Sequence, residues 1–223
     1  MTDQQALAEA MTLFLAGHDT TANTLSWAWL LLDQNPEARA RLLDELDREL
    51  AGRDPTFEDL PRLTYTESVI REVLRMYPAA WLLSREPQVD VELGGYYINK
   101  GSTLFISPYA LHHDPRWFPE PDRFDPDRFA EGWEERIPKY GYIPFGGGPR
   151  ICIGNSFALM EARLILATIA QAWQPRLLPD FVVQTAPLIT LQPKGGLPMR
   201  LQSRPTVTEP QGQRIDSLQP AGA

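Results

Sequence analysis

Apolar residues recur with a helical period over four long stretches of the chain, and between them the pattern breaks into short runs punctuated by proline and glycine. The first stretch, Gln4 to Asp33, is rich in Ala and Leu and predicts one helix about 45 Å long at 1.5 Å per residue. Its middle, Ala16-Gly17-His18-Asp19-Thr20-Thr21, places glycine, aspartate and two β-branched threonines where helix propensity suffers, at a summed cost on the order of 2 kcal/mol against alanine. Threonine hydroxyls can also bond back to the preceding turn and bend the axis, so a distorted turn and a groove are expected there. Asn35 and Pro36 read as the N-cap and first position of a charged amphipathic helix, Glu37 to Leu50, closed by Gly52. A capping box at Thr64-x-x-Glu67 opens a third helix, which runs to Tyr77 and stops at Pro78. Ile70, Val73, Leu74 and Tyr77 form its apolar stripe. Glu72 and Arg75 fall on the other side, where periodicity alone makes them a solvated i,i+3 pair worth a few tenths of a kcal/mol. The fourth helix spans Asn155 to Trp173.

Val89 to Leu93 alternates, Gly94-Gly95 turns, and Tyr96 to Ile98 and Thr103 to Ile106 follow, which reads as one small antiparallel sheet. The proline-dense stretch from Pro115 to Pro138 is irregular. Past Trp173, strands are expected around Phe181 to Val183 and Leu188 to Leu191, then a turn at Pro193 to Gly196 and a last strand to Leu201. From Pro205 to Ala223 there is no aromatic residue and much Pro, Gln and Gly, a composition that predicts a disordered tail. The expected chain is therefore mainly α with small β-sheets, ordered over residues 1–204.

Composition narrows the function. The 223 residues, 43% of them hydrophobic, suffice for a respectable core. A net charge of −8 argues against nucleic acid as a partner, because phosphates want a basic face. With one cysteine no intramolecular disulfide can form. Nothing resembles a signal peptide or a membrane-spanning run, so a cytoplasmic location without a transmembrane segment is expected. Adjacent His112 and His113 cannot both face one metal on a strand, and no zinc site with ligand spacing is read.

That cysteine is the candidate for chemistry. Phe145-Gly146-Gly147-Gly148-Pro149-Arg150-Ile151-Cys152-Ile153-Gly154 is a glycine-rich loop delivering Cys152 to the mouth of the fourth helix. A helix N-terminus, unpaired backbone N–H groups and the Arg150 cation all favour a thiolate there. The competing interpretation is a buried small hydrophobe, the commoner fate of a lone cysteine. A third is a cysteine hydrolase pairing Cys152 with His112 or His113.

The pattern Phe-x-x-Gly-x-Arg-x-Cys-x-Gly, filled by Phe145, Gly148, Arg150, Cys152 and Gly154, resembles the haem-binding loop of the cytochrome P-450 family. Three further strings agree in the family's order. Ala16-Gly17-His18-Asp19-Thr20-Thr21 is similar to its oxygen-binding helix, Glu72-Val73-Leu74-Arg75 to its Glu-x-x-Arg helix, and Pro126-Asp127-Arg128-Phe129 to its Pro-x-x-Phe region. The resemblance covers about residues 4 to 202 and implies the C-terminal half of that fold, with an N-terminal half missing. It implies haem b with iron bound by Cys152, and Phe145, Gly146 and Gly154 shaping the loop. Arg150 and Arg85 would bind haem propionates, for which a guanidinium fork suits. Thr20 would hold water on the distal side and Asp19 would relay protons. Glu72, Arg75 and Arg128 would form a buried structural trio. Ala16, Ala80, Trp81, Leu82, Leu188 and Ile189 would meet substrate. The implied reaction inserts one atom of O2 into a small lipophilic substrate, with electrons from an external donor, a ferredoxin or a flavin reductase. A non-catalytic haem-binding or interaction fragment is the alternative.

Overall fold

A computed structural model of the chain describes residues 1–204; the tail expected from Pro205 lies outside the described residues. The first helix, α1, runs unbroken from Asp3 to Gln34. Thr2 starts it with a reciprocal cap: its hydroxyl accepts from the Gln5 N–H at 3.2 Å while the Gln5 side chain accepts from the Thr2 N–H at 2.8 Å. The expected break at Gly17 to Thr21 is absent. Thr20 does bond back, its Oγ1 donating to the Ala16 carbonyl at 2.8 Å, but the turn stays α-helical. From Thr21 onward α1 is buried on one side, and Trp27 and Ala28 are fully enclosed.

Helix α2 (Pro36–Leu50) begins with proline at its first position. Asn35 is not its side-chain cap: the Asn35 Nδ2 donates to the Leu31 carbonyl at 2.8 Å and so completes α1. The left-handed turn that closes α2 takes in two residues, Ala51 at φ 49° and the expected Gly52 at φ 85°. Helix α3 (Thr64–Met76) lacks the Thr64/Glu67 capping box. Its first amides are taken by Glu45, which reaches across from α2, Oε1 accepting from Tyr65 N–H at 2.6 Å and Oε2 from Thr66 N–H at 2.8 Å. Glu67 is drawn instead to Arg71 and Arg163. The working box lies earlier, where Thr56 and Asp59 cap a 3-10 turn, Phe57–Arg62.

The strands pair two by two. β1 (Leu83–Arg85) pairs with β4 (Leu104–Ile106), and β2 (Val91–Leu93) with β3 (Tyr96–Ile98), all antiparallel. The single sheet expected here is thus two separate ribbons, because the strand after Lys100 turns back to the segment that follows α3. Short helices α4 (Pro108–His112) and α5 (Trp133–Arg136) and a 3-10 turn at Pro126–Phe129 punctuate the irregular region. Helix α6 (Asn155–Ala172) ends one residue early, and Trp173 opens β5 (Trp173–Leu177), paired with β8 (Met199–Ser203). Phe181 to Val183 form no strand. The hairpin is instead β6 (Thr185–Pro187) with β7 (Leu191–Pro193), and residues 188–190 are its tip.

One apolar cluster joins α1, α2, α3 and α6, with Trp27, Leu42, Leu46, Ile70, Val73 and Leu166 at its centre. Stacking of Trp27 on Tyr77, centroids 4.0 Å apart, ties α1 to the end of α3.

Candidate functional site

The loop before α6 is held open by its backbone. Gly146 and Gly148 sit at φ 76° and 69°, where a side chain would be strained, and the Cys152 N–H donates to the Phe145 carbonyl at 2.9 Å. Phe145 packs against the core cluster and anchors this end of the loop. Cys152 is exposed. A Cβ at Gly154 would lie 3.9 Å from its sulfur, so the missing side chain leaves room beside the thiol. Ile151, Ile153 and Phe157 around it are exposed apolar residues, Ile153 almost completely.

Arg150, at the end of a 3-10 turn (Gly148–Arg150), and Arg85, on β1, are both exposed. Most of the described arginines pair with a carboxylate, yet these two, like Arg136 and Arg200, do not. Arg85 donates only to the carbonyl of Ser84 at 2.8 Å. Gly146 faces Leu83 of the same strand, a Cβ there lying 3.7 Å from Leu83 Cδ1, so the cysteine loop and β1 adjoin. A soft sulfur donor, two guanidinium groups without carboxylates, and bare apolar surface beside the sulfur match what a haem presents: an iron, two propionates and a flat apolar rim. The residues fit the group.

Glu72, Arg75 and Arg128 come together away from solvent. Arg75 bonds Glu72 through Nε at 2.7 Å and Nη2 at 2.9 Å, and both side chains are fully buried. Arg75 Nη1 also donates to the His112 carbonyl at 2.9 Å, and Arg128 approaches Glu72 at 3.5 Å. Burial pushes the Glu72 carboxyl up, against the opposing pull of Arg75. The polar side of α3 is therefore interior and not the solvated pair that periodicity alone suggests. His112 is also buried, its Nε2 accepting from the Ile143 N–H at 2.9 Å, and His113 Nδ1 lies 2.8 Å from the Tyr109 carbonyl; among the described residues neither histidine is hydrogen-bonded to the exposed Cys152.

Asp19 and Thr20 lie at the boundary between the exposed and buried halves of α1. Asp19 is fixed from elsewhere in the chain: Thr190 Oγ1 donates to its Oδ2 at 2.7 Å, and Asn23 Nδ2 donates to the same oxygen at 3.1 Å. Neither partner stands out in the sequence. Asn23 could have been found as the i+4 neighbour of Asp19, whereas Thr190 is 171 residues away and carries no local signal. Trp81 and Leu188 also meet, Trp81 Nε1 donating to the Leu188 carbonyl at 2.9 Å. Leu82, Leu188 and Ile189 are exposed, Ala80 and Trp81 half-buried, and Ala16 lies on the bare part of α1.

Comparison with known proteins gives this constellation a context. The profile of the family described as Cytochrome P-450 matches residues 1–197. Cyclooctatin synthase of Streptomyces melanosporofaciens is 47% identical over 191 residues, 86% of this chain and 42% of the relative. Cyclooctat-9-en-7-ol 5-monooxygenase of the same organism is 44% identical over 177 residues, 79% of this chain and 39% of its own length. Mouse cytochrome P-450 4V2 is 43% identical over 201 residues, 88% of this chain and 38% of the relative. The chain spans about two-fifths of the length of the curated relatives it matches.

Proposed function

The chain belongs to the cytochrome P-450 family, and from that premise we propose that it is the haem-thiolate part of a monooxygenase acting on a lipophilic organic substrate. The overall balance is R–H + O2 + 2 e⁻ + 2 H⁺ → R–OH + H2O, with the electrons from a separate ferredoxin or flavin reductase. The name of the relative cyclooctat-9-en-7-ol 5-monooxygenase supports oxygen insertion as the reaction class. Among the described residues no helix is long and apolar enough to cross a membrane. A cytoplasmic location belongs to the same proposal.

The observation that carries this reading is the exposed Cys152 thiol beside Cβ-free Gly154, with exposed Arg85 and Arg150 in no ion pair among the described residues. Bound haem iron supplies oxygen activation, and a thiolate ligand favours O–O cleavage by pushing electron density onto the metal, a property for which this family is the standard example. Cys152 would provide that sulfur. The guanidinium groups of Arg85 and Arg150 would each take a propionate in a forked, charge-assisted contact. Ala16, Ala80, Trp81, Leu82, Leu188 and Ile189 would present apolar surface to the substrate and keep water from it. The Thr20 hydroxyl already gives its hydrogen to the Ala16 carbonyl, so its oxygen is left to accept a hydrogen bond from a water. Asp19, fixed at Oδ2 by Thr190 and Asn23, keeps Oδ1 to receive and release a proton.

Ferrous protein with carbon monoxide tests the reading. A strongly red-shifted Soret band is expected, and Cys152→Ala is expected to lose it while unfolding in urea near the parent's midpoint, because the side chain is exposed. An imidazole-type or water-type spectrum in the parent would overturn the assignment. A non-catalytic haem-binding or interaction role is the second reading, favoured by the exposed apolar residues Leu7, Met11 and Phe14 on α1; it keeps the red-shifted band and shows no turnover.

A further inference from the structure

Asp19 sits on an exposed stretch of helix, where an aspartate ordinarily turns freely in water. Here it does not. Thr190 Oγ1 donates to its Oδ2 at 2.7 Å, Asn23 Nδ2 donates to the same oxygen at 3.1 Å, and Asn23 Nδ2 also lies 3.2 Å from Thr190 Oγ1 as donor. The three groups form a closed triangle in which every donor has an acceptor. Turning the Asn23 amide over would set its oxygen against the carboxylate, so the orientation is the only one that satisfies all three.

Thr190 is itself held on both sides along the chain. The Leu188 carbonyl accepts from Trp81 Nε1 at 2.9 Å, the Leu191 N–H donates to the Ala79 carbonyl at 3.0 Å, and the Leu191 carbonyl accepts from Trp27 Nε1 at 3.0 Å. Trp27 is fully buried and Asn23 nearly so, which makes the frame rigid. The β6–β7 hairpin therefore bridges α1 and the segment after α3, and its tip ends in Leu188 and Ile189, 62% and 99% exposed.

We propose that Thr190 is the positioning residue for Asp19, holding the carboxylate from the β6–β7 tip so that the proton-relaying group and the apolar substrate-facing tip move as one unit. The proposal rests on the reading of Asp19 given under the proposed function. A free aspartate would sample several rotamers, and a carboxylate held by two donors presents one oxygen in one direction. A ligand that displaces Leu188 or Ile189 would move Thr190 with them and reorient the Asp19 carboxylate through that contact.

Thr190→Val keeps the shape and removes the hydroxyl, and Thr190→Ser keeps the hydroxyl. The first measurement needs no turnover: the side-chain amide ¹H–¹⁵N resonances of Asn23. They are expected to shift and exchange faster in Thr190→Val and to stay at the parent positions in Thr190→Ser. The second uses haem-loaded full chain with a ferredoxin and its reductase, reading peroxide released per electron pair. Thr190→Val is expected to raise that ratio at least twofold with the red-shifted carbon monoxide band retained, and Thr190→Ser to restore it. Asn23 resonances unchanged in Thr190→Val would overturn the contact. Shifted resonances with an unchanged peroxide ratio would overturn the positioning role, as would equal effects of the two variants. A parent lacking the red-shifted band defeats the haem-thiolate reading and with it the positioning role, and the amide resonances then decide the contact alone.

Discussion

At the scale of single residues, His112 shows how burial sets protonation. Its side chain is fully enclosed, and desolvation, helped by the nearby Arg75 cation, brings its pKa down to about 3 from the usual 6.5. Protonating Nε2 would also set a new N–H against that of Ile143, which now donates to it. Between pH 6.5 and 3 the unfolded chain therefore binds more protons at this position than the folded one. Stability is full above pH 6.5 and falls with pH through that window, by up to about 1.4 kcal/mol per pH unit. Urea unfolding of the parent at pH 7 and pH 5 is expected to show this loss on top of the carboxylates' own contribution. His112→Gln, which keeps an acceptor for Ile143, is expected to flatten the difference between the two pH values; an equal slope in both proteins would refute the assignment. The string around Cys152 could be read because its chemistry is local, all within ten residues. His112 could not, since adjacent histidines look alike in sequence and only packing against Phe118 and Tyr142 separates the buried one from His113.

At the scale of elements, periodicity located all four long helices to within about two residues, and the errors gathered at their ends. Helix ends are decided by whichever group reaches the unpaired amides, and that group can come from another part of the chain. The start of α3 illustrates this. Thr64 and Glu67 have the spacing of a capping box, but Glu45, 20 residues upstream, fills the role with both carboxylate oxygens while Thr66 Oγ1 also donates to it at 2.7 Å. The short strands divide for a related reason: β2, β3 and β4 lie where alternation and the Gly94-Gly95 turn put them, whereas β1 and β6 have too little pattern to read and their partners are chosen by the path of the chain. Because Glu45 is almost fully buried, Glu45→Ala would leave two amides and a hydroxyl without an acceptor. The expected cost is about 2–3 kcal/mol, seen as a lower urea midpoint at constant m. Glu45→Gln keeps one acceptor oxygen and should lose less. A midpoint unmoved in the alanine variant would mean that water replaces the carboxylate at no cost.

Across the whole molecule, α1 is two helices in one. Its residues before Thr20 carry Leu7, Met11, Leu13, Phe14 and Leu15 at 49–64% exposure, whereas those from Thr21 on enter the core. A continuous stretch of exposed Leu, Met and Phe on one helix is core-like surface, unusual for a soluble monomer. Isolated helix of this length is marginal in water, and most helical stability comes from packing an apolar face, so the first half of α1 is held chiefly by its hydrogen bonds and the Thr2 cap. The second half is anchored by Trp27 and by the hairpin contacts at Asn23 and Leu191. Hydrogen exchange should divide α1 at Thr20. Amides from Ala6 to Gly17 are expected to exchange at least a hundredfold faster than those from Thr24 to Leu32, which open only when the common core opens. Mass-spectrometric exchange on the full chain checks this directly, and uniform protection along α1 would mean that its apolar first half is covered by another surface in solution. Asp19 and Thr20 stand where these two regimes meet, so the Thr190 and Asn23 contacts mark the last point at which the core can impose a fixed geometry on the helix.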